Sequence, residues 1–330
     1  MKVLRLHGPA DLRLNEEPVP IANAGEALLH VTAVGVCGSD LHWLKEAGIG
    51  DARLEKPLVL GHEFSAVTED GLRMAVDPAI ACGECEYCKR GDPNLCENIL
   101  FAGHGEQDGA LREQLAWPVR NLKALPAAIS DAEGAMLEPL GVAIHAVDLA
   151  HLRVGMAVGV FGSGPIGLLI LQLARLAGAN MLIATDILPH RLAAARSLGA
   201  DETLLVSVGE THPERAGFDQ STLDVVFEAA GDNAAVEMAA AAARPGGKVI
   251  LVGIPADDRT TFSASVARHK GLTIKLVHRM KHTYPRAIHL VEQGLIDVRS
   301  VITHHFPLEK AVEAYTLAMK REGLKIIIDL

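Results

Sequence analysis

The run Gly162-Ser163-Gly164-Pro165-Ile166-Gly167 constrains this chain more than any other, because of what flanks it. A short apolar stretch, Val158 to Phe161, precedes it, and a long apolar helical pattern, Pro165 to Ala177, follows. Glycines at this spacing permit a tight turn and let backbone approach a pyrophosphate. The helix N-terminus then offers free N–H groups and a positive dipole end to the phosphates. Pro165 suits the first helical turn, where no donor is lost. Asp186 falls 19 residues after Gly167, at the end of the next apolar stretch, Met181 to Thr185. A carboxylate there accepts hydrogen bonds from the adenosine ribose hydroxyls and repels a 2′-phosphate, so NAD is expected over NADP. Arg191 is set down with it, for adenine stacking or a phosphate contact.

The surrounding pattern agrees. Pro189 to Leu198 and Ala234 to Ala243 read as helices. Leu223 to Glu228, Lys248 to Val252 and Leu272 to Val277 read as strands. Such alternation predicts βαβ units and a parallel sheet covered on both faces, an α/β class. Residues before about Leu140 differ. Ala27 to Val36 reads as a strand, and Gly and Pro punctuate the remainder, which predicts a β-rich, loop-rich domain. The last fifty residues add helices near Pro285 to Gln293 and Leu308 to Arg321. They end in a strand, Leu324 to Leu330, expected to return to the first domain. The expected division is residues 1–142, 143–280 and a returning segment 281–330.

Four of the five cysteines, Cys82, Cys85, Cys88 and Cys96, lie in CGECEYCKRGDPNLC. Thiolates at this spacing close a tetrahedral shell around one zinc, which makes a structural site with no open position. The fifth, Cys37, lies near His42, His62 and Glu63, a donor set suited to a second metal with an open position. The net charge of −10 excludes a basic nucleic-acid footprint. The N-terminus has no apolar core of signal-peptide length, and the longest apolar run is too short and too broken to span a bilayer. A cytoplasmic protein is expected, with reduced thiols free for metal.

Taken together, GVCGSDLH, VLGHE, the cysteine lobe at about 82–96, EPLGVAIHA, GSGPIG, TDILPHRL, FPLEKAVEAY and LKIII resemble the zinc-dependent medium-chain dehydrogenases. Within them the chain is most similar to the sorbitol (polyol) dehydrogenase branch, nearly end to end. The resemblance implies a GroES-like catalytic domain and a Rossmann NAD-binding domain. It implies two zincs per chain, NAD, a polyol or related alcohol as substrate, and a homodimer or homotetramer. Cys37 and His62 look like ligands of the catalytic zinc. Glu63 and Glu138 look like its acidic partners, with the resting ligand left open between them. Ser39 resembles the hydroxyl that takes the substrate proton, and His42 the group that passes it to solvent. Trp43 and Arg279 match substrate-lining positions, and Arg279 and Val252 count with the cofactor residues. His104 and Glu106 are expected in a solvated loop. The strands at Lys248 to Val252 and Leu272 to Val277 are the candidate edges for subunit pairing. A threonine 3-dehydrogenase is the alternative within the class. A non-catalytic NAD-binding protein is the alternative outside it.

Overall fold

The computed structural model describes residues 1–213 and 221–330. The chain forms two compact units. The first comprises Met1–Gly141, Lys281–Gly294 and Val298–Leu330, and the second Val142–Met280 with Leu295–Asp297.

A seven-stranded sheet built around the long strand Glu26–Gly35 organises the first unit. That strand pairs antiparallel with Glu63–Thr68, with Gln114–Pro118 and with the last strand, Lys325–Asp329. Strand Ile302–Pro307 then adds parallel to Lys325–Asp329. The last strand thus completes a sheet begun three hundred residues earlier, because its buried isoleucines 326–328 have a full apolar face to cover. Apolar side chains from the sheet, the N-terminal strands and the helix Ala311–Met319 form one core. Between Glu63–Thr68 and Arg73–Val76 the chain reverses at Asp70-Gly71, where Gly71 adopts a φ of +85°.

The second unit is a six-stranded parallel sheet. Numbered within the unit, its strands lie in the order 3-2-1-4-5-6. They are Ala157–Phe161, Met181–Asp186, Glu202–Leu205, Leu223–Glu228, Ala243–Leu251 and Thr273–Leu276. The order reverses between the first and fourth strands, and ligands of open α/β sheets bind beyond the carboxyl ends at such a point. The near-continuous apolar character of the central strands reflects burial on both faces. One sequence expectation needs correction. The strand at Lys248 to Val252 is no edge: it pairs with Leu223–Glu228 on one side and Thr273–Leu276 on the other. Only Thr273–Leu276 of the two candidates is an edge. The third strand, Glu202–Leu205, carries no clean apolar period and escapes a sequence reading.

Candidate metal centres and nucleotide site

Three strand ends meet at one end of the first unit's sheet. Glu63 pairs opposite Gly35, and the Val36 amide donates to Ile326 O at 3.0 Å. This register brings Glu63, Val36 and Lys325 together with Cys37 immediately beyond. Lys325 Nζ contacts both Glu63 carboxylate oxygens, at 2.8 and 2.6 Å, and donates to Val36 O at 3.1 Å. Lys325 and Glu63 are both almost completely buried. Burial alone lowers the Lys325 ammonium's pKa, but the Glu63 and Cys37 charges outweigh it and hold it raised. A Cβ on Gly35 would stand 2.2 Å from Glu63 Oε2, so any side chain there displaces the carboxylate.

Cys37 is the N-cap of the helix Gly38–Glu46, and its amide donates to Asp40 Oδ2 at 3.0 Å. Positions three apart share a helix face. Ser39 and His42 accordingly lie on one face, half-buried, while Asp40 and Trp43 lie on the buried one. Asp40 Oδ1 stands 3.4 Å from His62 Nδ1, and Ser39 Oγ 3.5 Å from His62 Nε2. The His62 ring leans on Phe101, with centroids 5.2 Å apart. Burial pushes the His62 ring towards neutrality, yet the charges of Asp40 and Cys37 prevail and hold its pKa well above the imidazole range. Buried anions this dense call for a cation. Cys37, His62 and Glu63 each offer a donor atom, all within 4.8 Å of one another. Thiolate, imidazole and carboxylate together are a donor set for zinc, and the fit is good. Glu138, in the first turn of Leu137–Ala150, is buried and stands outside this trio of donors. Burial pushes its carboxyl up to about 7, with His62 drawing it down and Glu63 drawing it up.

The cysteine lobe forms a second group. Cys82, Cys85, Cys88 and Cys96 place their sulfurs within 4.8 Å of one another, and Cys82 and Cys88 are 3.9 Å apart. Zn–S bonds of about 2.3 Å in a tetrahedron put sulfurs about 3.8 Å apart. Amides of Cys82 and Cys85 donate to Cys96 Sγ and Cys82 Sγ, each at 3.3 Å. N–H donors from Glu84 and Cys85 draw the Cys82 thiol down to about 6. Thiolates so supported fit a closed zinc shell.

The glycine turn of the second unit has the geometry its sequence predicts. Gly162 has a φ of +97°, and a Cβ there would stand 2.6 Å from Ala230 N. A Cβ on Gly167 would lie 1.9 Å from Gly162 O. Gly164 is the N-cap of the helix that begins at Pro165, with Ile166 and Gly167 in its first turn. Asp186 ends the second strand, as placed. Its oxygens accept from Ser163 N at 2.8 Å and Leu188 N at 2.9 Å, and two further lone-pair directions remain. Arg191 Nη1 lies 4.0 Å from Asp186 and 3.5 Å from where a Gly164 Cβ would be. Val252, just past the fifth strand, donates to Glu228 O at 2.8 Å. Glu228 Oε1 in turn accepts from Ala230 N and Gly231 N, which fixes the loop facing Gly162.

Sequence similarity bears on both units. Residues 23–127 match the alcohol dehydrogenase GroES-like domain, and residues 165–293 the zinc-binding dehydrogenase domain. Sorbitol dehydrogenase of Bacillus subtilis is 33% identical over 341 residues, spanning 99% of this chain and 97% of the relative. The chain belongs to the zinc-dependent medium-chain dehydrogenases, in their polyol dehydrogenase branch. Human sorbitol dehydrogenase is 36% identical over 339 residues, covering 98% of this chain and 94% of that one. An Escherichia coli CFT073 alcohol dehydrogenase solved with NADH superposes with a TM-score of 0.89 at 28% identity, over 100% of this chain and 99% of that one. Zinc and NAD are the dehydrogenase's cofactors.

Two expected positions, Trp43 and His104, read differently in the structure. Trp43 is 1% exposed inside the first unit's core, so it packs there rather than presenting a face to substrate. His104 is not in a free loop: its ring meets Trp43 edge-on, 5.5 Å between centroids. Arg279 lies in the second unit with a φ of +53°, a strained conformation for a long side chain. Two residues of the metal centre went unassigned by sequence reasoning, Asp40 and Lys325. The signal for Asp40 was the capping spacing Cys37-x-x-Asp40. Lys325 had none, because its partner is 262 positions away.

Proposed function

We propose that this dehydrogenase interconverts a secondary alcohol of a polyol or sugar-derived substrate and its ketone, NAD accepting the hydride in one direction and NADH donating it in the other. The observation that carries the reading is the convergence of Cys37, His62 and Glu63 donors at the end of the sheet. In this reading these three residues hold the catalytic zinc, Glu138 stands by as a second carboxylate, and Cys82, Cys85, Cys88 and Cys96 hold the structural one. When bound, zinc supplies Lewis acidity and NAD takes the hydride. Ser39 takes the hydroxyl proton and His42, on the same helix face, passes it to solvent. Asp40 orients His62 through Nδ1, and Lys325 orients Glu63. Gly162, Gly164, Pro165, Ile166 and Gly167 cradle the pyrophosphate, and Asp186 and Arg191 bind the adenosine end. Val252 and Arg279 contribute on the nicotinamide side, and Arg279 reaches substrate.

Absorbance of reduced nicotinamide tests this. The panel holds sorbitol, xylitol, galactitol, L-idonate, L-threonine and simple secondary alcohols, with NAD and then NADP. Polyol-dependent NAD reduction that stops on chelation is expected. Turnover of L-threonine alone, or no turnover by zinc-replete protein, defeats the polyol reading. The compartment in this reading is the cytoplasm, where thiols stay reduced. Two copies pair through the edge strand Thr273–Leu276, where Leu276 is largely exposed. A Leu276→Asp variant then elutes as a monomer, and unchanged elution removes that edge from the assembly.

A further inference from the structure

Tyr315 sits on the helix Ala311–Met319 and is 1% exposed. Its hydroxyl has no hydrogen-bond partner among the described residues. A phenylalanine would fill the same space without desolvating an O–H group, so the hydroxyl needs a partner to account for its presence. One acceptor in the neighbourhood shares its condition. Asp40 is completely buried, and its Oδ1, 3.4 Å from His62 Nδ1, also lacks a well-formed hydrogen bond. The two helices that carry these groups pack against each other.

We infer that Tyr315 is a positioning residue for the catalytic metal centre, its O–H joined to the Asp40 carboxylate, through one buried water, so that Asp40 is held in place behind His62. The chemistry is complementary. Burial holds the Tyr315 hydroxyl protonated, its pKa well above the phenol range, and Asp40 is the foremost charge acting on it, ahead of Cys37 and Glu63. The group is therefore a donor beside a carboxylate that needs one. One water that accepts from Tyr315 and donates to Asp40 satisfies both groups. Partners of this kind behind a metal-bound imidazole fix the ring's orientation, and losing them costs about 10- to 100-fold in metal affinity.

The inference rests on Cys37, His62 and Glu63 holding zinc, and zinc content of the purified wild-type enzyme tests that premise separately: fewer than two zincs per chain defeats the premise, whatever Tyr315 does. With the premise met, Tyr315→Phe is compared with wild type by thermal unfolding and by the rate of zinc transfer to a chromogenic chelator. A paired hydroxyl gives a lower Tm and catalytic zinc release about tenfold faster. An unchanged or higher Tm, or an unchanged release rate, overturns the inference, since deleting an unpaired buried hydroxyl relieves a cost. The Asp40→Asn background gives the second arm. If Tyr315 acts through Asp40, adding Tyr315→Phe there changes release by less than about twofold. A full second tenfold effect overturns the route through Asp40.

Discussion

Replacing Lys325 by methionine removes one partner from a buried ion pair while nearly keeping its volume. Lys325 and Glu63 are 3% and 1% exposed, and the ammonium contacts both carboxylate oxygens within 2.8 Å. The substitution leaves Glu63 buried and uncompensated, which costs about 3–5 kcal/mol when one member of such a pair is removed. For a unit of roughly 200 residues each kcal/mol moves Tm by about 2–4 °C, so a fall of about 6–20 °C is expected. The assay is thermal unfolding of chelator-treated protein, which keeps bound zinc from masking the loss by neutralising Glu63 itself. The pH of the assay is uncritical across the neutral range. Lys325 has a raised folded pKa, so its contribution is fully present below the unfolded value of about 10.4 and fades only as pH rises through the folded value.

The same reasoning dictates a rescue. Lys325→Met with Glu63→Gln carries no buried charge at either position, so most of the lost stability returns, although zinc binding does not. Lys325→Met within about 2 °C of wild type refutes the pair as a structural necessity. A double variant no better than the single one refutes the explanation by uncompensated charge. Adding zinc raises Tm in the single variant more than in wild type, because the metal replaces the missing cation.

Gly35→Ala places a methyl 2.2 Å from Glu63 Oε2 and displaces the carboxylate; turnover and zinc affinity each fall about 10- to 100-fold, and wild-type kinetics refute the crowding. Cys96→Ser lowers zinc content by one per chain and lowers Tm, while polyol turnover per remaining folded molecule persists; unchanged zinc content refutes the four-cysteine shell. Burial raises the Glu133 carboxyl, but hydrogen bonds from Ser130 and Arg299 outweigh it and leave the pKa lowered. Its stabilisation is present above the unfolded value of about 4.3 and lost as pH falls through the folded one, so Glu133→Gln flattens the acid side of a Tm–pH curve. A Glu133→Gln curve parallel to wild type refutes that contribution.

What the sequence revealed and what it hid divide by range. The glycine turn is legible because each of its constraints acts within six residues: a positive φ at Gly162, a close approach at Gly167, a proline at the first helical position. The cysteine lobe is legible for the same reason. The parallel strands announce themselves through burial on both faces, whereas Glu202–Leu205, half exposed, does not. Trp43 is assigned to substrate by family resemblance alone, and its place in the core depends on contacts from distant strands that its own helix does not announce.

The metal centre shows the other regime. Nothing local distinguishes Lys325 from any strand lysine; its meaning comes from the register that sets Glu63 opposite Gly35 and Ile327 opposite the same glycine. That one cross-strand register places a lysine against a carboxylate and leaves a Cβ at position 35 no room unless Glu63 moves. A shift of the last strand by one residue turns Lys325 to the other face and leaves Glu63 buried alone, at the cost worked out above for Lys325→Met. The pair therefore helps to specify the register that creates it, so Lys325→Met tests the fold and the metal centre at once.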